Sequence, residues 1–222
     1  MYNKLSILSI AAVLFLGCNQ PESAEANREE NATSKTEIVD VKDKNFDELF
    51  VKIDPKDMNV NFFEMLDRDW SVVTAGGESD YNSMVASWGA FGIFFGKPAA
   101  WLILNANRYT LEKIKTYEKF TLSYLDTIYK EQKLLFGSKS GRDSDKMKES
   151  TLTPVITPSG NTAYKEAYMI IESDLGGITE FSPGDFKHED HKKFIVEGKE
   201  KGNGKEYHKL LTGFISDVWI RK

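Results

Sequence analysis

The chain is short of cysteine: it has one, so no disulfide can close within it, and a multi-cysteine metal site is excluded. Histidine is also scarce, with three residues. Positive charge is in deficit: 29 Lys and Arg against 34 Asp and Glu leave a formal net charge of -5, which argues against a nucleic-acid partner, since such proteins carry a basic footprint. Neither the P-loop pattern nor the dinucleotide GxGxxG fingerprint occurs, so nucleoside-triphosphate and Rossmann readings fall away. There is no internal repeat. What remains is ordinary: 222 residues, 41% of them hydrophobic and 12% aromatic, enough for one domain with a real core.

The first residues read as an address. Lys4 precedes an apolar run, Leu5 to Leu16, far shorter than the roughly 20 residues a membrane span needs and suited to a signal-peptide core. It ends in Phe15-Leu16-Gly17-Cys18, which resembles the lipobox of bacterial lipoproteins, where the cysteine becomes the new N-terminus and carries acyl chains. That resemblance implies residues 1–17 as a signal peptide, lipidation at Cys18, and an exported protein held in the cell envelope by its lipid alone. The plain alternative is an accidental cysteine in a cleaved signal. Residues 18–40 are rich in Glu, Asn, Ser, Thr and Ala without an aromatic residue, and read as a flexible tether.

From residue 41 to 222 the pattern is that of a folded domain. Asn61 to Leu66 suggests a short Asn-capped helix, and Trp70 to Ala75 a β-branched strand closed by Gly76-Gly77. Further strands are expected over Ser83–Trp88, Ala100–Leu104, Phe120–Leu125, Ala163–Ser173 and Leu210–Ile220. Helices are expected from a Thr110 cap and over Thr127–Phe136. In the last strand Leu210, Thr212, Phe214, Ser216, Val218 and Ile220 share one face. Strands dominate and no βαβ rhythm appears, which predicts a mainly β, closed or partly closed antiparallel barrel with inserted helices.

Three segments are unusually polar or rich in Gly and Ser: Asn82 to Gly89, Asn107 to Thr110, and Gly137 to Lys146. The last two combine backbone N–H groups, hydroxyls and cations, the groups that hold a phosphomonoester, and the helix N-terminus expected after Thr110 adds a favourable dipole. Each segment is equally an ordinary loop when taken alone. His188-Glu189-Asp190-His191 imitates a metal cluster, but its lysine-rich flanks read as a solvated charged loop.

Taken in order, Trp70-Ser71-Val72-Val73-Thr74-Ala75, Asn82 to Gly89, Lys97-Pro98, Arg108-Tyr109-Thr110 and Ser140-Gly141-Arg142-Asp143-x-Asp145-Lys146 resemble the flavin reductase-like, FMN-binding split-barrel family, and its flavoredoxin-type members most. Glu166-Ala167 and Tyr207-His208 fit the same pattern. The resemblance implies an antiparallel Greek-key split barrel that binds FMN and acts as an oxidoreductase. Asn82 and the backbone of Val85, Ala86 and Ser87 would line the flavin edge, with Trp88 beside the ring. Arg108, Tyr109, Thr110, Ser140 and Lys146 would hold the phosphate, and His208 would approach the ring or the phosphate. The alternatives are core packing for Trp88 and a structural histidine for His208. The resemblance further implies a homodimer and a nicotinamide or redox-protein electron donor. No residue is expected to act as acid or base, because hydride transfer to flavin depends on placement. The rival reading is an exported FMN-binding carrier or sensor without reductase activity, favoured by the scarcity of nicotinamide outside the cytoplasm. Departures from the family pattern occur at Leu104-Asn105-Ala106-Asn107 and Glu172-Ser173-Asp174, and Ile178 to Glu206 does not align with it.

Overall fold

The computed structural model describes residues 41–202 and 204–222; the expected leader, Cys18 and the expected tether lie outside the described residues. An antiparallel sheet of eight strands organises the domain. In chain order the strands of this sheet are β1 (Phe50–Ile53), β2 (Ser71–Gly77), β3 (Asp80–Ala86), β4 (Gly89–Phe94), β5 (Lys97–Leu104), β6 (Lys119–Tyr124), β9 (Met169–Glu180) and β10 (Lys209–Arg221). They lie in the order β3-β2-β6-β9-β10-β5-β4, with β1 paired to the far end of β10. A separate hairpin holds β7 (Pro154–Ile156) and β8 (Thr162–Tyr164).

The sheet curls on itself. Met84 and Ala86 of β3 share one buried cluster with Ala100, Leu102 and Leu104 of β5, although these strands are far apart along the ladder. Val73, Leu122, Tyr124, Ile171, Leu211 and Val218 complete that interior. The two edge strands β3 and β4 are joined only through Ser87-Trp88, where the Trp88 carbonyl accepts the Ile103 N–H at 3.0 Å. The result is the split barrel that the sequence predicts. A second apolar cluster covers its outer face. There α1 (Phe46–Leu49), α4 (Lys130–Ser138) and the β7–β8 hairpin contribute Phe46, Phe136 and Tyr164 over Val72 and Ile170. Burying these two faces supplies the main stabilisation, about 25 cal/mol for each Å² of apolar surface.

Several boundaries move for physical reasons. The helix at Asn61 forms as α2 (Phe62–Glu64), with the Asn61 side chain accepting from the Glu64 N–H at 3.3 Å, and runs on as a π-turn to Asp69. Helix α3 (Tyr109–Tyr117) starts one residue before Thr110, so Arg108 is the N-cap and Thr110 sits inside the first turn. The single strand expected over Ala163–Ser173 is two, because the chain turns at Lys165–Tyr168, where the Ala167 N–H bonds the Tyr164 carbonyl. In β10 the predicted single face is wrong. The extra residue Ser216, between Ile215 and Asp217, changes the parity of β10, so Leu211 and Val218 both reach the interior, whereas the shift at Thr212/Gly213 places its extra residue, Gly176, on β9. The stretch from His188 is no loop either: α6 (Glu189–Gly202) begins there, its first turn carrying Glu189 and Asp190, the charge a helix N-terminus favours. Helix α5 (Lys146–Glu149) is a single turn capped by Asp145.

Candidate functional site

Two adjoining cavities open where the barrel is split. The first, of about 350 Å³, is aromatic, with Trp88, Phe194 and His208 in its wall together with Met84, Val85, Ala86, Ser87 and Arg108. The second, of about 230 Å³, is basic and polar: Asn82, Arg108, Tyr109, Thr110, Lys139, Ser140, Arg142 and Lys146 surround it. Met84 and Arg108 line both. Each flavin-site residue expected from the sequence lines one or other of these two neighbouring cavities. A third hollow, of about 430 Å³, continues outward past Tyr81, Lys113 and Asp145.

The β3 strand does much of the positioning. Its alternate residues face opposite ways, so Asn82, Met84 and Ala86 share a side while Ser83 bonds outward to Thr74 (2.8 Å) and to Tyr164 (2.7 Å). Asn82 is buried and donates to the Thr110 hydroxyl at 2.7 Å, tying β3 to the start of α3. The same asparagine requires glycine at position 141: a methyl group there would overlap the Asn82 side-chain oxygen and reach within 3.0 Å of the Tyr109 ring. The Ser140–Asp143 turn is consequently drawn against α3.

The cations reach this pocket in different ways. Arg108 donates to the Gly137 carbonyl at 3.3 Å and caps α3 only with its backbone, since its side chain makes no capping bond. The first-turn N–H groups of α3 thus keep a positive end with no side-chain cap, facing the basic cavity. Arg142 bonds the Asn107 carbonyl at 2.7 Å, pairs with Glu112 and lies over the Tyr109 ring at 5.2 Å. Lys146 is buried and gives two of its three protons to the carbonyls of Phe136 (3.0 Å) and Lys139 (2.8 Å). Burial, with the Arg108 charge added, brings its ammonium down to about 8. Lys146 therefore braces the loop and supplies positive potential, with one donor left over.

Trp88 and His208, for which alternatives stand above, both line the aromatic cavity. Trp88 is 46% exposed, so it is a wall and not core filling. Its ring lies 5.3 Å from Phe194 and 5.8 Å from His208. His208 is buried, and its Nδ1 has no hydrogen-bond partner among the described residues. Burial and the Arg108 charge hold its pKa below the ordinary histidine value, which favours the neutral ring. Sequence reasoning missed Arg142 and Lys139 as lining residues, although both stand in the Gly/Ser-rich segment it singled out. It also missed Phe194, Glu197, Gly198 and Lys201, which stand in the Ile178 to Glu206 stretch that does not align with the family pattern. His188 and His191 stand at the start of α6 with ring centroids 5.5 Å apart. Among the described residues no group of three or more His, Cys, Asp or Glu could hold a metal ion.

Residues 66–220 match the flavin reductase like domain. The chain belongs to that family. Solved structures with this fold include an FMN-binding protein from Thermus thermophilus with bound 1-cyclohex-2-enone, 22% identical over 68% of this chain and 69% of that one, TM-score 0.52. Flavoredoxin of Desulfovibrio vulgaris is 23% identical, covering 68% of each chain, also at 0.52. An FMN-binding domain of a flavin reductases-like enzyme from Shewanella baltica is 13% identical over 77% and 76%, at 0.53. At these identities the likeness shows the fold. The search of curated proteins found no match.

Proposed function

We propose that the chain binds FMN and works as a flavin-dependent redox protein, the phosphate in the basic cavity and the isoalloxazine ring in the aromatic one. One observation carries the reading: the two cavities have complementary chemistry and meet at Arg108 and Met84. The donor set suits the group. A phosphate dianion is matched by Arg108, Arg142 and Lys146, the Ser140 and Thr110 hydroxyls, and the positive end of α3. A flat apolar ring is matched by Trp88 and by Met84, Val85 and Ala86, with the edge polar groups left to Ser87 and the β3 backbone. When bound, FMN would supply the acceptance and release of two electrons. The residues of this chain orient the ring, exclude water with Trp88, and stabilise negative charge through Arg108 and the neighbouring N–H groups. That role needs no acid or base side chain, which fits a neutral His208.

Expression of residues 41–222, followed by a visible spectrum and mass spectrometry of the released ligand, tests the reading. A yellow protein releasing FMN supports it, and a colourless one that takes up no FMN in titration overturns it. Two further parts of the proposal concern the whole molecule. Export with acylation at Cys18 predicts incorporation of labelled palmitate that Cys18→Ala abolishes. Homodimerisation predicts twice the chain mass by light scattering. It is supported by the β4 edge, which pairs on one side only and carries Ile93 exposed at 60%, with Phe95 exposed at 85% in the turn that follows.

A further inference from the structure

Helix α6 forms one wall of the aromatic cavity. Phe194, Glu197, Gly198 and Lys201 are spaced so that they share one helical face, and it is this face that lines the cavity. Three contacts set its position. The Phe194 ring lies 5.3 Å from Trp88, the Asn105 amide donates to the Gly198 carbonyl at 3.2 Å, and the Gly198 backbone rests against His208. A methyl group at Gly198 would overlap the imidazole Cε1 and stand 2.7 Å from the orphaned Nδ1. Glycine inside a helix weakens it, so its presence here serves the close approach. Elsewhere α6 is lightly held: Ile195 is its one buried residue, and Phe194 is 51% exposed.

Space is the consequence. The cavity, about 350 Å³, stands near the bottom of the roughly 300–1,000 Å³ range of ligand sites, room for one ring system. Direct hydride transfer requires a nicotinamide carbon within about 3–3.5 Å of the flavin, stacked over it. With one ring system filling this cavity as proposed above, the α6 face and Phe194 form the wall that a second, stacked ring would meet.

We infer that α6 is a specificity wall, with Phe194 as its determining residue, which excludes a stacked nicotinamide and admits electrons only at the ring edge, from one-electron donors such as a redox protein. This rests on the FMN reading above. In the permitted step two donor molecules each lose one electron, and the isoalloxazine gains both together with one proton from solvent. The excluded step would bring both electrons and the hydrogen from the nicotinamide.

The test uses the full chain loaded with FMN, as wild type, Phe194→Ala and Phe194→Trp. Phe194 lies on a half-exposed helix face, and FMN affinity measured by titration in each protein reports whether the site is intact. Calorimetric titration with NADP⁺ should give no saturable binding for wild type or Phe194→Trp and saturable binding for Phe194→Ala. Bleaching by NADPH should quicken at least about tenfold in Phe194→Ala alone, while bleaching by dithionite stays within about twofold in all three. Equal NADP⁺ binding and equal NADPH rates in wild type and Phe194→Ala overturn the inference and leave the FMN reading standing. Failure of every protein to take up FMN overturns both.

Discussion

Arg108→Ala tests the site at the point where its two cavities join. In the proposed complex Arg108 makes a charge-assisted bond to the phosphate. The loss of such a bond costs about 1.5–3 kcal/mol, which corresponds to roughly 10- to 150-fold weaker FMN binding. The substitution also reaches Lys146, whose ammonium is held near 8 by burial and by the Arg108 charge. In the free wild-type protein Lys146 loses its proton as pH rises through about 8. The phosphate favours the charged form, so binding takes up a proton above that pH and weakens as pH climbs. Below about pH 6 the phosphate itself loses a charge and binding weakens again. Removing Arg108 removes a like charge, so the Lys146 pKa rises and the alkaline limb moves to higher pH even as affinity falls. Fluorescence titration of FMN across the pH range measures both effects. A loss below about threefold would refute the contact itself. An alkaline limb that stays in place, or moves down, would refute the coupling to Lys146.

Gly141→Ala should both weaken FMN binding and destabilise the fold by about 1–3 kcal/mol, since the methyl group collides with Asn82; denaturant unfolding and flavin titration measure the two. Lys146→Met leaves the carbonyls of Phe136 and Lys139 without their donor, for a loss of about 1–3 kcal/mol near neutral pH by urea unfolding. Lys146 binds its proton more weakly folded, at about 8, than unfolded, at the ordinary 10.5. The unfolded chain therefore holds more protons between these values, and wild-type stability should gain from this group as pH rises from 8 toward 10.5. That gain should be missing in Lys146→Met. Glu172→Gln should lower stability by about 1–3 kcal/mol in thermal unfolding, because the buried carboxylate accepts from Thr157 (2.7 Å), Trp219 (2.8 Å) and Asn161, and an amide loses one acceptor. FMN affinity should be unchanged, as Glu172 lines neither cavity.

Much of the site was legible because its chemistry is local. Arg108-Tyr109-Thr110 at a helix start and the Gly/Ser-rich loop from Gly137 announce anion-binding groups by type alone. The aromatic wall was legible only in Trp88. Phe194 lies in a lysine- and glutamate-rich stretch whose apolar residues, Phe194, Ile195 and Val196, are consecutive and give no clear stripe, so the helical period is hidden. Strand existence came through in β2, β5, β6 and β10. Strand β4 did not, since Gly89, Gly92 and Gly96 punctuate it like a loop, and its pairing with β5 is what makes it a strand.

By itself the amino-acid sequence determined the class of the domain, the polar segments and their kind of chemistry, because propensity, period and residue type act over a few neighbours. Tertiary structure decided the rest. It brought Asn82, Arg108 and Lys146 to one cavity, turned Lys146 from a free cation into a brace, and reversed the face of β10 at Ser216. It also seated α6 against Trp88 through the gap at Gly198. Each of these depends on which distant groups meet when the barrel closes, and on the burial that closure imposes, neither of which is carried by a local pattern.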